Sequence, residues 1–323
     1  MKQSAWILAA CALLGCESSS GPRGYDFSER SSHRGSRYLP DLDEVWNFSS
    51  PADTESAFRE LLPAARDSAD PEYLLQLLTQ IARAQGLQRE YGTAHQTLDA
   101  AEDLLSSNTP VATVRYKLER GRVFNSSGSP ERAKPLFLEV WEDAKRIRAH
   151  VYAVDAAHML AIADKSAALS WNQTALDYAE SSGDERALRW RGALYNNIGW
   201  TFHEDREFNK ALAMFRKDFL FRCENKDDNG ARVARWSVAH TLRSLGRNEE
   251  ALDMQRELAI EFEQIGVVDG YVHEELGELL LLLGQEKPAK EQFGRAYDAL
   301  SLDVDFATHN QARLQRIRSL GAR

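Results

Sequence analysis

Three stretches of this chain can be laid over one another: RGRVFNSSGSPERAKPLFLEV from Arg120, IGWTFHEDREFNKALAMFRKD from Ile198 and LGELLLLLGQEKPAKEQFGRA from Leu276. Each carries a glycine, an apolar residue three on, an alanine twelve on from the glycine and a phenylalanine four further. Such self-similarity constrains the fold more than composition does, because a short unit that cannot bury its apolar face alone must stack on its own copies. Let the glycine be position 8 and the alanine position 20. Position 8 then falls on Ala82, Gly121, Ala157, Gly199, Ala239 and Gly277, and position 20 on Ala94, Ala133, Leu169, Ala211, Ala251 and Ala289. Successive position-8 residues are 39, 36, 42, 40 and 38 apart.

Within each unit the period is helical. From residue 50 onward apolar residues recur at helical spacing, and no stretch alternates with the Val, Ile and Thr enrichment of a strand. Ser50-Pro51 followed by Asp53 predicts a helix start, with serine as cap and proline at the first position. The nine prolines and most glycines are expected at ends or turns. Gly86, Gly128, Gly246 and Gly284 each interrupt an apolar run that soon resumes, which predicts helix, tight turn, helix.

This pattern resembles the tetratricopeptide repeat, whose units place small residues at positions 8 and 20 with bulky ones near 11 and 24. The resemblance implies an all-α, right-handed α-solenoid of about six helix pairs with capping helices at both ends. The small residues let two helices approach, while Phe124, Phe202, Leu242 and Leu280 at position 11, and Leu98, Phe137, Phe215 and Phe293 at position 24, fill the space between repeats. The repeats are longer than the family's usual 34 residues, which implies longer helices. The third is weakest, with Leu169 for alanine and Gln173 for the aromatic; the fifth has Gln255 at the aromatic position. The organisation expected is a leader at 1–15, a tether at 16–40, an N-terminal capping segment at 41–70, the array at 71–300 and a C-terminal capping helix at 301–323.

The leader is short. Lys2 precedes ten apolar residues, 5–14, where a membrane span needs about 20, so the segment reads as a secretory signal. Leu13-Leu14-Gly15-Cys16 resembles the bacterial lipobox, which implies that Cys16 is the acylated first residue of the mature protein. The other reading is an ordinary secreted protein in which Cys16 is an incidental thiol. No other apolar run is long enough to span a bilayer, so the acyl chains are the expected link to the membrane. Residues 17–40 are rich in Ser, Gly and Arg, the composition of a solvated linker reaching roughly 25–30 Å. Their charge is +1, against −11 for residues 41–323, and contact of the arginines with anionic headgroups is the second reading of this stretch. Cys223 is expected as a packed core thiol. The implied address is the bacterial cell envelope, facing the periplasm from the outer membrane. Lipoproteins that join a lipobox to about six such repeats, the pilotin type, are the architectural match.

A net charge of −9 argues against a nucleic-acid partner. Tyr271-Val272-His273-Glu274-Glu275-Leu276-Gly277 starts like a zinc-protease helix, but Gly277 stands where the second histidine is required. There is no phosphate-binding glycine loop, no G-x-S-x-G elbow and no C-x-x-C. No enzyme activity, cofactor or metal is therefore expected.

In the family the first helix of each repeat lines the inner surface through positions 2, 5, 9 and 12. Carried over, these positions hold Arg83, Arg115, Arg122 and Arg243, which could pair carboxylates, and Asn125 and Asn196, which could hold a peptide backbone. The expected partner contacts are Arg122, Asn125, His158, Asn196, Trp200, Trp236, His240 and Arg243. Across the first five repeats this stripe holds no carboxylate in an acidic chain, which points to acidic or C-terminal peptide segments as ligands. Trp200 and Trp236 are either groove anchors or packing between repeats. The function expected is a lipid-anchored, non-catalytic scaffold for a protein or peptide. The alternatives are a regulatory or sensory repeat domain recognising a small ligand or peptide, and an enzyme with an unrecognised site.

Overall fold

The computed structural model describes residues 39–321; Cys16 and nearly all of the tether lie outside the described residues. Two compact units divide them, one ending at Leu194 and one starting at Tyr195. The first opens with a short helix α1 (Leu42–Val45) and a capping helix α2 (Pro51–Asp67). Three helix pairs follow: α3 (Pro71–Leu87) with α4 (Tyr91–Glu102), α5 (Pro110–Ser126) with α6 (Pro130–Arg146), and α7 (His150–Ala163) with α8 (Ala168–Ser182). A single turn, α9 (Glu185–Leu188), precedes α10 (Arg191–Glu204), in which the boundary between the units falls. The second unit continues with α11 (Phe208–Glu224), then α12 (Asp228–Ser244) with α13 (Asn248–Gln264), then α14 (Gly270–Leu282) with α15 (Glu286–Leu300). The closing helices are α16 (Val304–His309) and α17 (Gln311–Gly321). No strand occurs among the described residues.

One turn device recurs. The residue seven places after position 8 takes a left-handed backbone in five pairs: Arg89, Gly128, Arg206, Gly246 and Gly284, with φ between 61° and 86°. The next amide closes each turn onto a carbonyl five residues back, as from Ser129 to Phe124 at 2.8 Å and from Glu207 to Phe202 at 2.8 Å. Gly86 does not turn the chain. It lies inside α3, and Arg89 makes the turn expected there.

Packing inside a pair is complementary in volume. Phe137, Phe215 and Phe293 are wholly buried, and their rings lie where a side chain on Gly121, Gly199 or Gly277 would have to go. Where position 8 is alanine, position 24 is smaller than phenylalanine: Leu98 opposite Ala82, and Gln255 opposite Ala239. The third pair corrects the sequence register. Its turn is one residue shorter and passes through a 3-10 segment, Lys165–Ala167, so Ala168 takes position 20 and buried Asn172 takes position 24, while Gln173 is exposed. The following turn agrees. Gly183 (φ 67°) lies fifteen residues after Ala168, the offset that separates Arg148 from Ala133, Lys226 from Ala211 and Gly266 from Ala251.

Three smaller expectations are also corrected. Pro63 and Pro135 sit inside helices rather than at their ends. Ser50 precedes α2 as expected, but its hydroxyl donates to Asp53 and caps no backbone amide. Cys223 is exposed, because the last turn of α11 buries Phe221 and turns its neighbour two residues on towards solvent.

Candidate functional site

The first helices of the pairs carry a ladder of charges that the stripe of positions 2, 5, 9 and 12 leaves out. Position 6 holds Glu119, Asp155 and Glu275, all buried. Each meets a basic residue from the preceding pair. Arg83 lies 3.6 Å from Glu119. Arg122 donates to both carboxylate oxygens of Asp155. In the second unit Glu275 receives Arg243 and, at 3.1 Å, the ring of His240. An acid-free stripe was the reason to expect acidic ligands at Arg122 and Arg243, and the structure corrects it, since both guanidiniums already hold a buried carboxylate. Sequence reasoning could have found the partners by asking what lies three residues before each position 9. The ladder ends on α17, where Arg313 donates to both oxygens of Glu274 at 2.8 and 2.7 Å and Arg316 to Glu278.

The eight expected contacts divide between the units. In the first, Arg122 is engaged as described and Asn125 is half-buried near the end of α5. His158 is buried, 5.2 Å from the Trp190 ring, and burial pushes its pKa down so that the neutral ring is favoured. In the second, Trp200 donates its indole N–H to Asn196 Oδ1 at 3.2 Å, both side chains being buried. Trp236 stacks on His240 at 4.9 Å and donates to the Tyr271 carbonyl at 3.3 Å. Trp200 packs edge-on to Phe215 at 5.0 Å. Of the two readings open for the tryptophans, packing describes both: Trp200 is 2% exposed and Trp236 8%. Among the described residues no group of three or more His, Cys, Asp or Glu is placed to hold a metal ion, and no helix is long and apolar enough to cross a membrane.

One opening lies against the first helices of the pairs in the first unit; another, in the second unit, lies between α13, α14 and α15, lined by Ile260, His273 and Gln292 among others. The first is a small open cavity of about 90 Å³, lined by Arg83, Arg115, Tyr152, Asp155, Arg186 and Trp190, together with Asp43, Trp46 and Phe48 from the segment before α2. Arg115 donates to Gln76 Oε1 at 3.0 Å, lies 5.4 Å from the Tyr152 ring, and reaches Asp43 Oδ1 at 3.4 Å. Arg186, on α9, donates to the other oxygen of Asp43. Trp46 and Phe48 stack at 4.5 Å with the Arg83 guanidinium 5.5 Å from each ring, and the Trp46 indole donates to Gln80 Oε1 at 2.9 Å. Arg83 and Arg115 were legible as carboxylate binders. Arg186, Tyr152 and Trp190 were not, because helix phase alone does not show which side chains border a cavity.

This succession of helix pairs matches solved structures. A signal transduction ATPase with numerous domains and a tetratricopeptide repeat sensor, from Pyrococcus horikoshii, matches 85% of this chain at a TM-score of 0.64 and 13% identity. This is the tetratricopeptide repeat fold. The chain spans 43% of that protein's length. NprR, solved in complex with its cognate peptide NprX, matches 82% of this chain and 78% of its own at a TM-score of 0.52 and 15% identity. No protein-family model matches the sequence, and no curated protein does. The all-α tetratricopeptide-type solenoid expected from the repeat is therefore the fold of the chain.

Proposed function

We propose that this chain is a non-catalytic tetratricopeptide scaffold that binds a peptide or protein segment on the inner face of its first unit. It is held to a bacterial envelope membrane by acylated Cys16 and faces the periplasm. The observation that carries the binding reading is the cavity flanked by Arg83, Arg115 and Arg186 with the Tyr152 ring beside them. Arginines with aromatic walls suit carboxylate-bearing peptides, and such residues dominate binding energy where they are desolvated. NprR, a protein of this fold, is known with a bound peptide, which supports the ligand class. The reading of the leader rests on Leu13-Leu14-Gly15-Cys16, and that of the envelope role on the resemblance to pilotin-type lipoproteins.

The test is capture of partners on immobilised protein, comparing the intact chain with Arg115→Ala/Arg186→Ala and with the outer-face change Glu291→Ala. Loss of captured partner in the arginine variant alone, at an unchanged melting temperature, supports the scaffold. Equal capture by all three overturns it.

A further inference from the structure

We infer that residues 41–48 are a resident ligand of the first unit, occupying in cis the site at which an acidic, aromatic peptide binds in trans. This rests on the scaffold reading above and names its ligand class and its regulation.

The segment reads DLDEVWNF. Its Asp43 carboxylate is shared by two arginines from elements far apart in sequence, Arg115 on α5 and Arg186 on α9. Its two rings, three and five residues on, stack beneath Arg83. A carboxylate followed by aromatic side chains is thus read by a row of arginines across the inner face, the chemistry such a face offers to an incoming peptide.

Two observations separate an occupant from a built-in part of the core. Asp43 keeps 37% of its side chain exposed, so the charge it contributes can be exchanged for another without opening the core. The cavity beside it is open and bordered by the half-buried Tyr152, on whose ring no residue of the segment stacks among the ring contacts described. Leu42, by contrast, is buried with Phe58, Leu61 and Ile81, and Val45 and Trp46 pack against the same cluster, Trp46 edge-on to Phe58 at 5.4 Å, so the segment is fixed on both sides of Asp43. The strap is therefore anchored on the cap by Leu42, Val45 and Trp46, and its Asp43 carboxylate is held over the site by ion pairing. A partner carrying a carboxylate beside an aromatic takes the place of the Asp43 carboxylate at Arg115 and Arg186 without unfolding the cap.

The test uses an acetylated, fluorescent peptide of residues 41–49 and the full chain. Its binding is read by anisotropy on the intact protein, on Asp43→Ala and on Asp43→Ala/Arg186→Ala. The expected result is binding at least about tenfold tighter to Asp43→Ala than to the intact chain, the gain disappearing when Arg186 is also removed. Saturating peptide should also speed amide exchange at Asp43 and Glu44 of the intact chain. Equal binding to the intact chain and Asp43→Ala, or no binding to either while both melt as folded proteins, overturns the inference. If Asp43→Ala does not fold, Asp43→Asn, which keeps the volume and removes the charge, is judged by the same outcomes. Failure of the peptide together with loss of partner capture in Arg115→Ala/Arg186→Ala sinks the strap alone. Peptide binding with capture unaffected sinks the scaffold reading instead.

Discussion

Gly199 leaves room for one ring: a Cβ built there would lie 2.6 Å from Phe215 Cε1. Gly199→Ala should therefore cost about 1–3 kcal/mol, because a ring buried on all sides cannot shift freely. Phe215→Leu, the pairing that Ala82 and Leu98 already use, should restore part of the loss when combined with it. Urea unfolding of both single variants and the double should show coupling, and strict additivity would mean the two sites share no space. Arg122→Ala is expected to cost about 3–5 kcal/mol rather than act as a mild groove variant, since it strands Asp155 as a buried charge and leaves Glu119 with Arg83 alone. A melting temperature equal to that of the intact chain would refute this. Charge also sets the response to acid. Burial alone would raise Glu275, but His240 and Arg243 outweigh it and hold its pKa at about 2; burial, with His240 and Arg243 adding to it, lowers His203 to about 4. Both values lie below those of the unfolded chain, so the unfolded state takes up the extra protons and stability is lost as pH is lowered. The His203 share is complete above about 6.5 and lost as pH falls through about 4; the Glu275 share is complete above about 4.5 and lost through about 2. Asp218, raised to about 6 by burial, runs the other way, so the check is a difference. His203→Gln should flatten the slope of melting temperature between pH 6.5 and 4 and leave the slope below 4 intact. An unaltered slope above pH 4 would rule out His203.

Turns carry the regularity of the helices. Arg206 holds a left-handed backbone (φ 61°) at the place where Gly246 and Gly284 do the same. A residue with a Cβ is strained there by roughly 1–2 kcal/mol, partly offset by the greater freedom of glycine in the unfolded chain. Arg206→Gly should therefore stabilise by about 0.5–1 kcal/mol in urea titration, and a destabilised variant would show that the arginine side chain does more than turn the chain. These elements also show what could be read before the structure. The glycine, alanine and phenylalanine spacing located the crossings because close helix approach leaves a mark at fixed intervals. In the third pair the fixed interval misled, since a turn shortened by one residue shifts every later position and Leu169 and Gln173 look like degenerate matches. Helix α1 left no trace because four residues are too few to show a period, and with it went Asp43, Trp46 and Phe48. The cavity was legible only through Arg83 and Arg115. The tryptophans were legible as residues but not in role, because a ring at the edge of an inner stripe and a ring packed behind it share one helical phase.

At the scale of the whole chain, the proposed membrane attachment rests on one residue. Cys16→Ala should move the protein from the membrane pellet to the soluble fraction and abolish labelling by an acyl analogue, since two or three acyl chains anchor stably where one does not. An unchanged pellet fraction would discard the lipobox reading. The paired choice at positions 8 and 24 has a longer consequence. Each helix pair settles between its own two residues whether it takes glycine with phenylalanine or alanine with something smaller. Such a gene can gain or lose a complete pair by recombination without disturbing the fit within any other. A crossover inside a pair has two bad outcomes: alanine meeting phenylalanine, which collides, or glycine meeting glutamine, which leaves a polar void. Viable junctions in repeat-shuffled descendants should therefore cluster between pairs, in the segments where the chain passes from one unit of the repeat to the next.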